Sequence, residues 1–287
     1  MAIETIAPAT SIGELQLTVA DLGRSIQFYQ DRLGFRLLNR DKGQARLGTG
    51  THGLINLMEK PAARPRSQRG MTGLYHFAVL LPDRRSLARL LYQMAETEVQ
   101  VQGAADHGVS EALYLSDPDG NGIELYRDRR RAEWPADDLG KLQMGTEELD
   151  VDDLIMELKD GVLPWTGVPD NTVIGHVHLH VRDLQEAEQF YNRVLGFQVM
   201  QRYGSGALFV SAGGYHHHIG LNTWAGTGAP PPPPDVAGLV WFEVRLPDSA
   251  AFEALKGRLK EAGVASEDLN GGMLVKDPSQ NGILFKV

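Results

Sequence analysis

The run VADLGRSIQFYQDRLGFRLL at residues 19–38 returns as VRDLQEAEQFYNRVLGFQVM at 181–200, so the chain contains an internal repeat. A repeat leaves few folds open, because each copy must form the same unit and bury its apolar face against a neighbour. Asp21 and Asp183, Phe28-Tyr29 and Phe190-Tyr191, and Leu33-Gly34-Phe35 and Leu195-Gly196-Phe197 coincide. In each copy the Asp suits a helix N-cap and the Gly suits the helix end. GLYHFAVLLPD at 73–83 matches GLVWFEVRLPD at 238–248, and SDPDGNGIELY at 116–126 matches KDPSQNGILFK at 276–286. These runs have strand composition bounded by turn formers. The chain is therefore read as α+β, with four modules at 12–60, 73–128, 174–226 and 238–287 in two tandem domains, 12–128 and 174–287. A charged connector, 129–172, separates the halves, with a helix expected over Glu147–Lys159. The run Pro230–Pro234 is expected to be an extended link between modules three and four.

Composition removes several function classes. A net charge of −9 argues against nucleic acid, whose phosphates need a basic face. The absence of cysteine excludes disulfides, thiolate metal sites and Cys nucleophiles. No apolar run approaches the ~20 residues of a membrane span, and the opening MAIETIAPATSIGE lacks the pattern of a signal peptide. A cytoplasmic, soluble protein is the expectation.

The chemistry concentrates in HGVSEALYLSDPDGNGIE, residues 107–124. A strand, a tight turn and a second strand here would aim His107, Tyr114 and Glu124 into one pocket. Glu124 stands among apolar strand residues, where a carboxylate is either solvent-facing or paired with a cation. The second half contains another concentration, Tyr215-His216-His217-His218, at the expected start of the last strand of module three. Histidine suits proton transfer because its ordinary pKa lies near neutrality.

Modules of the form βαβββ, two of them carrying D-L-x-x-(S/A)-x-x-F-Y-x-x-x-L-G-F, resemble the vicinal oxygen chelate superfamily, the glyoxalase/bleomycin resistance/dioxygenase fold. The resemblance covers nearly the whole chain apart from the connector. It implies a metal cupped by two modules, with ligands from the first and last strands of each. Module one offers Glu14 and Asn56, module two His76 and Glu124, and module three His176, with Gly220 unable to ligate. Module four offers only Trp241 and Leu284, which cannot bind a metal. His76, Glu124 and His176 remain, a set that suits non-haem Fe(II) with positions open for substrate and O₂; Mn(II) fits the same set. This set requires module two to pair with module three. Pairing of one with two would bring Glu14 to His76 and Glu124 instead.

Residues 107–124 also resemble the signature of extradiol ring-cleavage dioxygenases, apart from Ala105, where that signature prefers other residues. The resemblance implies that Glu124 is a metal ligand, that Tyr114 hydrogen-bonds a substrate oxygen and that His107 lines the pocket. It further implies an acid–base histidine three residues before Gly220, His217, with His218 taking the role if the strand carries a bulge. His178 and His180 share a face with His176 by period two and would support the ligand or line the pocket; Asn222 and Trp224 continue the last strand of module three, where they would help shape the site. The implied function is that of a catechol 2,3-dioxygenase-like enzyme using Fe(II), O₂ and a catechol-type substrate, with a homo-oligomer expected. Two other readings stay open: a glyoxalase or lyase-type metalloenzyme, and a non-catalytic, drug-sequestering binder of the same superfamily.

Overall fold

The computed structural model describes residues 4–50, 52–161 and 164–287. Each module opens with a strand: Ser11–Val19, Gly73–Leu81, Val173–His180 and Gly238–Arg245. A helix follows in every case, and its first turn is closed by an aspartate, Asp21, Asp83, Asp183 or Asp248, whose carboxylate accepts from backbone N–H groups. Three strands complete each module, so the βαβββ pattern holds four times.

Beyond an irregularity near their first residues, where Ile12, Leu74 and Ile174 also enter the core, the opening strands alternate with a period of two. Leu15, Leu17 and Val19, Phe77 and Val79, Val177 and Leu179, and Phe242 and Val244 are all fully buried in one continuous core drawn from all four modules. The alternate positions carry the polar residues: Glu14 and Gln16, His76, His176 and His178, and Glu243. Burying each of the large apolar side chains stabilises the fold by about 1.5–3 kcal/mol. A one-residue slip would put the histidines into that core, so the pattern fixes the register.

Among the described residues the strands form two sheets, of eight and nine strands. In the first, Ser11–Val19 pairs antiparallel with Gly238–Arg245, which joins module one to module four. In the second, Gly73–Leu81 pairs antiparallel with Val173–His180, which joins module two to module three. The sheets therefore do not follow the halves of the chain: each takes one module from either side of the connector.

The modules within a half are tied by the residues that mark the repeat. The helices of modules one and three end in π-helical turns, Phe28–Arg32 and Gln189–Val194. These turns drive Tyr29 and Tyr191 fully inside, where their hydroxyls donate to Asp117 and Asp277 at 2.9 and 3.0 Å. Each aspartate also accepts from the backbone and side-chain amides of the Asn four residues on. The Asp-Pro turn is thus a docking socket for the tyrosine of the preceding module.

The connector departs from expectation. Its helix is only Val151–Ile155, extended by a 3-10 turn at Met156–Leu158, because Asp150 caps it and Glu147–Glu148 instead pairs as a short strand with Ala105 and Asp106. Tyr215–His218 precede the strand Ile219–Asn222 rather than beginning it. Among the described residues no helix is long and apolar enough to cross a membrane.

Candidate active site

Four adjacent strands of the nine-stranded sheet build the site. Ala78 on Gly73–Leu81 is flanked by Glu124 on one side and His176 on the other. His76, two residues before Ala78, lies on the same face and sits opposite His178. Tyr114 is the direct cross-strand partner of Glu124. The small side chain of Ala78 leaves room above it for the three flanking groups.

His76 Nε2 lies 3.0 Å from Glu124 Oε2, and His176 Nε2 lies 3.2 Å from the same oxygen. The donor atoms of all three residues fall within 4.8 Å of one another, and all three residues are buried. His76 Nε2 is closed off from solvent yet makes no hydrogen bond, since its approach to Glu124 lacks the required angle. A buried carboxylate converging with two imidazoles, one of them orphaned, fits a divalent metal better than it fits a hydrogen-bond network. Burial alone would raise the Glu124 carboxyl, but His176 and His76 hold it well below its usual value. Burial lowers His176 to about 4 against the opposing pull of Glu124, so it is neutral and able to ligate at neutral pH.

A cavity of about 260 Å³ opens over this set. His76, Glu124, Tyr114, His107 and His217 all line it, so the run 107–124 delivers its three polar side chains to one place. His107 Nδ1 donates to the Gly145 carbonyl at 2.8 Å, which leaves Nε2 as acceptor for the Tyr114 hydroxyl at 2.7 Å. Burial and the nearby Glu124 push the Tyr114 phenol well above 10, so it remains a donor. His217 packs its ring 4.1 Å from that of His176, and burial followed by the field of neighbouring histidines keeps it neutral.

Other histidines separate by role. His218 turns away: its Nδ1 accepts from Ser211 and from the Ala212 amide, and it lines a different cavity between the sheets. His180 is tied to Asn222 and Gln68, outside the metal set. His178 lines the cavity, with its ring over Gly220 so closely that a Cβ there would come within 2.8 Å of it. Glycine at the position where a fourth ligand would stand is thus a requirement of His178. Trp224, half-exposed, lines the cavity; Asn222 is buried beside His180.

Several lining residues carried no signal in the sequence. Met144, Gly145 and Thr146 come from the connector, and Gln201 fastens that segment by bonding the Met144 amide and carbonyl at 2.6 and 2.9 Å. Tyr75 and Phe209 are strand aromatics with unremarkable spacing.

The model of the Glyoxalase/Bleomycin resistance protein/Dioxygenase superfamily matches twice, at residues 11–125 and 173–285. The chain belongs to this superfamily. Its relatives include a protein of Bacillus subtilis (strain 168) named catechol-2,3-dioxygenase, 48% identical over 271 residues, covering 94% of each chain. A biphenyl-2,3-diol 1,2-dioxygenase of Rhodococcus globerulus is 28% identical over 126 residues, covering 43% of this chain and 65% of its own. Among solved structures, glyoxalase I of Zea mays superposes with a TM-score of 0.57 at 18% identity, covering 96% of this chain and 92% of its own. That likeness shows the superfamily fold alone. The two family matches fall on the two halves of the sequence, whereas the candidate metal-ligand set draws His76 and Glu124 from one half and His176 from the other.

Proposed function

We propose that the protein is an extradiol dioxygenase that opens the ring of a catechol-type diol with O₂, with Fe(II), or alternatively Mn(II), held by His76, Glu124 and His176. The observation that carries this reading is the convergence of His76, Glu124, Tyr114, His107 and His217 on one cavity, with His176 against both Glu124 and His217. The relationship to the Bacillus subtilis protein supports it.

A redox-active divalent metal in such a set supplies coordination of a vicinal diol beside O₂ and an electron path between them. The chain's own residues supply the rest. His217, neutral and on the cavity wall, accepts a proton from the bound diol and later returns one to the opening ring. His107, anchored by Gly145, accepts the single Tyr114 hydroxyl hydrogen in the resting site and so holds that hydroxyl over the cavity, from where the hydrogen turns to a substrate oxygen as negative charge develops there. Tyr75, Phe209 and Trp224 flank a flat ring and exclude water. A fourth protein ligand, which closed-shell glyoxalase chemistry would use, has no room at Gly220 beneath the His178 ring.

The test is anaerobic loading with Fe(II), then exposure to O₂ with a panel of substituted catechols. Stoichiometric O₂ uptake and a new near-visible absorbance from a ring-opened semialdehyde are expected. Iron-loaded protein that consumes no O₂ with any member of the panel would refute the reading.

A further inference from the structure

The strand that carries Glu124 continues with Tyr126 and Asp128 on the same face. Asp128 is the origin of a chain of contacts that ends in the cavity. Its Oδ2 accepts from the Tyr215 hydroxyl at 2.9 Å, and Tyr215 in turn accepts from Tyr126 at 2.9 Å. Its Oδ1 lies 2.9 Å from Nε2 of the fully buried His216. His216 Nδ1 lies 2.8 Å from His217 Nδ1, and His217 lines the cavity.

With His216 neutral, the donor and acceptor inventory of these groups allows one arrangement. An ionised carboxylate only accepts, so His216 Nε2 carries the hydrogen. A neutral His216 then has a bare Nδ1, which can only accept. His217 Nδ1 must therefore be the donor in the 2.8 Å contact. Its Nε2, with no hydrogen-bond partner among the described residues, is left as a bare lone pair. We propose that Asp128 and His216 are positioning residues that fix His217 in the tautomer with Nδ1 protonated and Nε2 free to accept a proton. The inference rests on the reading of His217 as the base and adds the device that prepares it. The logic parallels a carboxylate that selects the tautomer of a catalytic imidazole through one ring; here the selection passes through two.

Asp128→Asn is the decisive change. An amide that accepts from Tyr215 presents its NH₂ to His216, which must then accept at Nε2 and donate at Nδ1. His217 Nδ1 becomes the acceptor, and its hydrogen moves to Nε2, where the lone pair is lost.

The full chain, ring-¹⁵N-labelled at histidine and loaded with diamagnetic Zn(II), is to be examined by two-bond ¹H–¹⁵N correlation. His217 is expected as the Nδ1–H tautomer in the native protein, as Nε2–H in Asp128→Asn, and as Nδ1–H again in Asp128→Glu. Finding Nε2–H in the native protein, a measurement that needs no variant, overturns the inference. So does a folded Asp128→Asn protein with an unchanged tautomer. With Fe(II), Asp128→Asn should lower kcat by about 10- to 100-fold with KM for catechol within about twofold. A shifted tautomer with undiminished turnover would uphold the positioning pair and remove His217 as the base.

Discussion

His218 shows how a single imidazole can set an acid limit on the fold without touching the chemistry. Burial, with help from neighbouring histidines, lowers it to about 4, and the Ala212 amide and Ser211 hydroxyl both address a bare Nδ1. An unfolded chain has the ordinary value near 6.5, so below that pH it binds a proton that the folded chain refuses. Stability from this group is therefore intact above pH 6.5, declines as pH falls through the window, and stops declining below about 4. Between pH 7 and 5 the loss should be about 1–2 kcal/mol. In urea titrations of the metal-free protein, His218→Asn, which keeps an acceptor, should have a shallower decline over that range. Parallel declines in both proteins would show that His218 does not titrate in unfolding. The placement of the three adjacent histidines was only partly legible. Alternation indicates that they cannot share one face, but the segment lies outside the strand, so period two alone does not assign His216 to Asp128.

The Asp-Pro turns and the Phe-Tyr helix ends belong together as one element, although they lie far apart in sequence. A buried aspartate is raised by desolvation, and Asp117 stays compatible with the interior because Asn121 and Tyr29 supply hydrogen bonds. Tyr29→Phe removes one donor from a buried acceptor and should destabilise the protein by about 1–3 kcal/mol. Tyr191→Phe should do the same at Asp277, and the two effects should add, because they belong to separate sockets. Chemical unfolding of the two single variants and the double variant checks this. A double variant no less stable than either single one would show that the sockets act as one. The repeat made these residues visible in the sequence, because both members of each pair recur. It could not reveal that they meet, since nothing in local propensity connects a helix end to a turn in the next module. The proposed metal ligands were more legible, because His76, His176 and Glu124 stand at polar positions in alternating strands. The connector's Met144–Thr146 were not, because their place over the cavity depends on Gln201 rather than on any pattern of their own.

At the scale of the whole molecule, the two sheets cross the division between halves, and so does the candidate ligand set. Neither half alone contains all three candidate ligands. Chains spanning 1–135 and 136–287, expressed separately, should each fail to retain Fe(II) after gel filtration, and co-expression should restore retention at one metal per pair. Metal retained by either fragment would show that a half can complete its own ligand set. The eight-stranded sheet illustrates what the same topology does without ligands. Glu14 pairs there with Arg46 and Asn56, Glu243 with Arg245 and Lys286, and Trp241 occupies the place that His76 takes in the other sheet.

The pairing of Ser11–Val19 with Gly238–Arg245 also has a temporal side. During synthesis Ser11–Val19 must wait for Gly238–Arg245, with roughly two hundred residues of chain emerging in between. At ribosomal rates of about 5–20 residues per second, that interval is on the order of ten to forty-five seconds. Throughout it, module one has an unpaired strand edge, a template on which a second nascent chain could dock. Long-range pairing of this kind folds slowly. The yield of native protein should therefore depend on what shields that edge until the closing strand arrives.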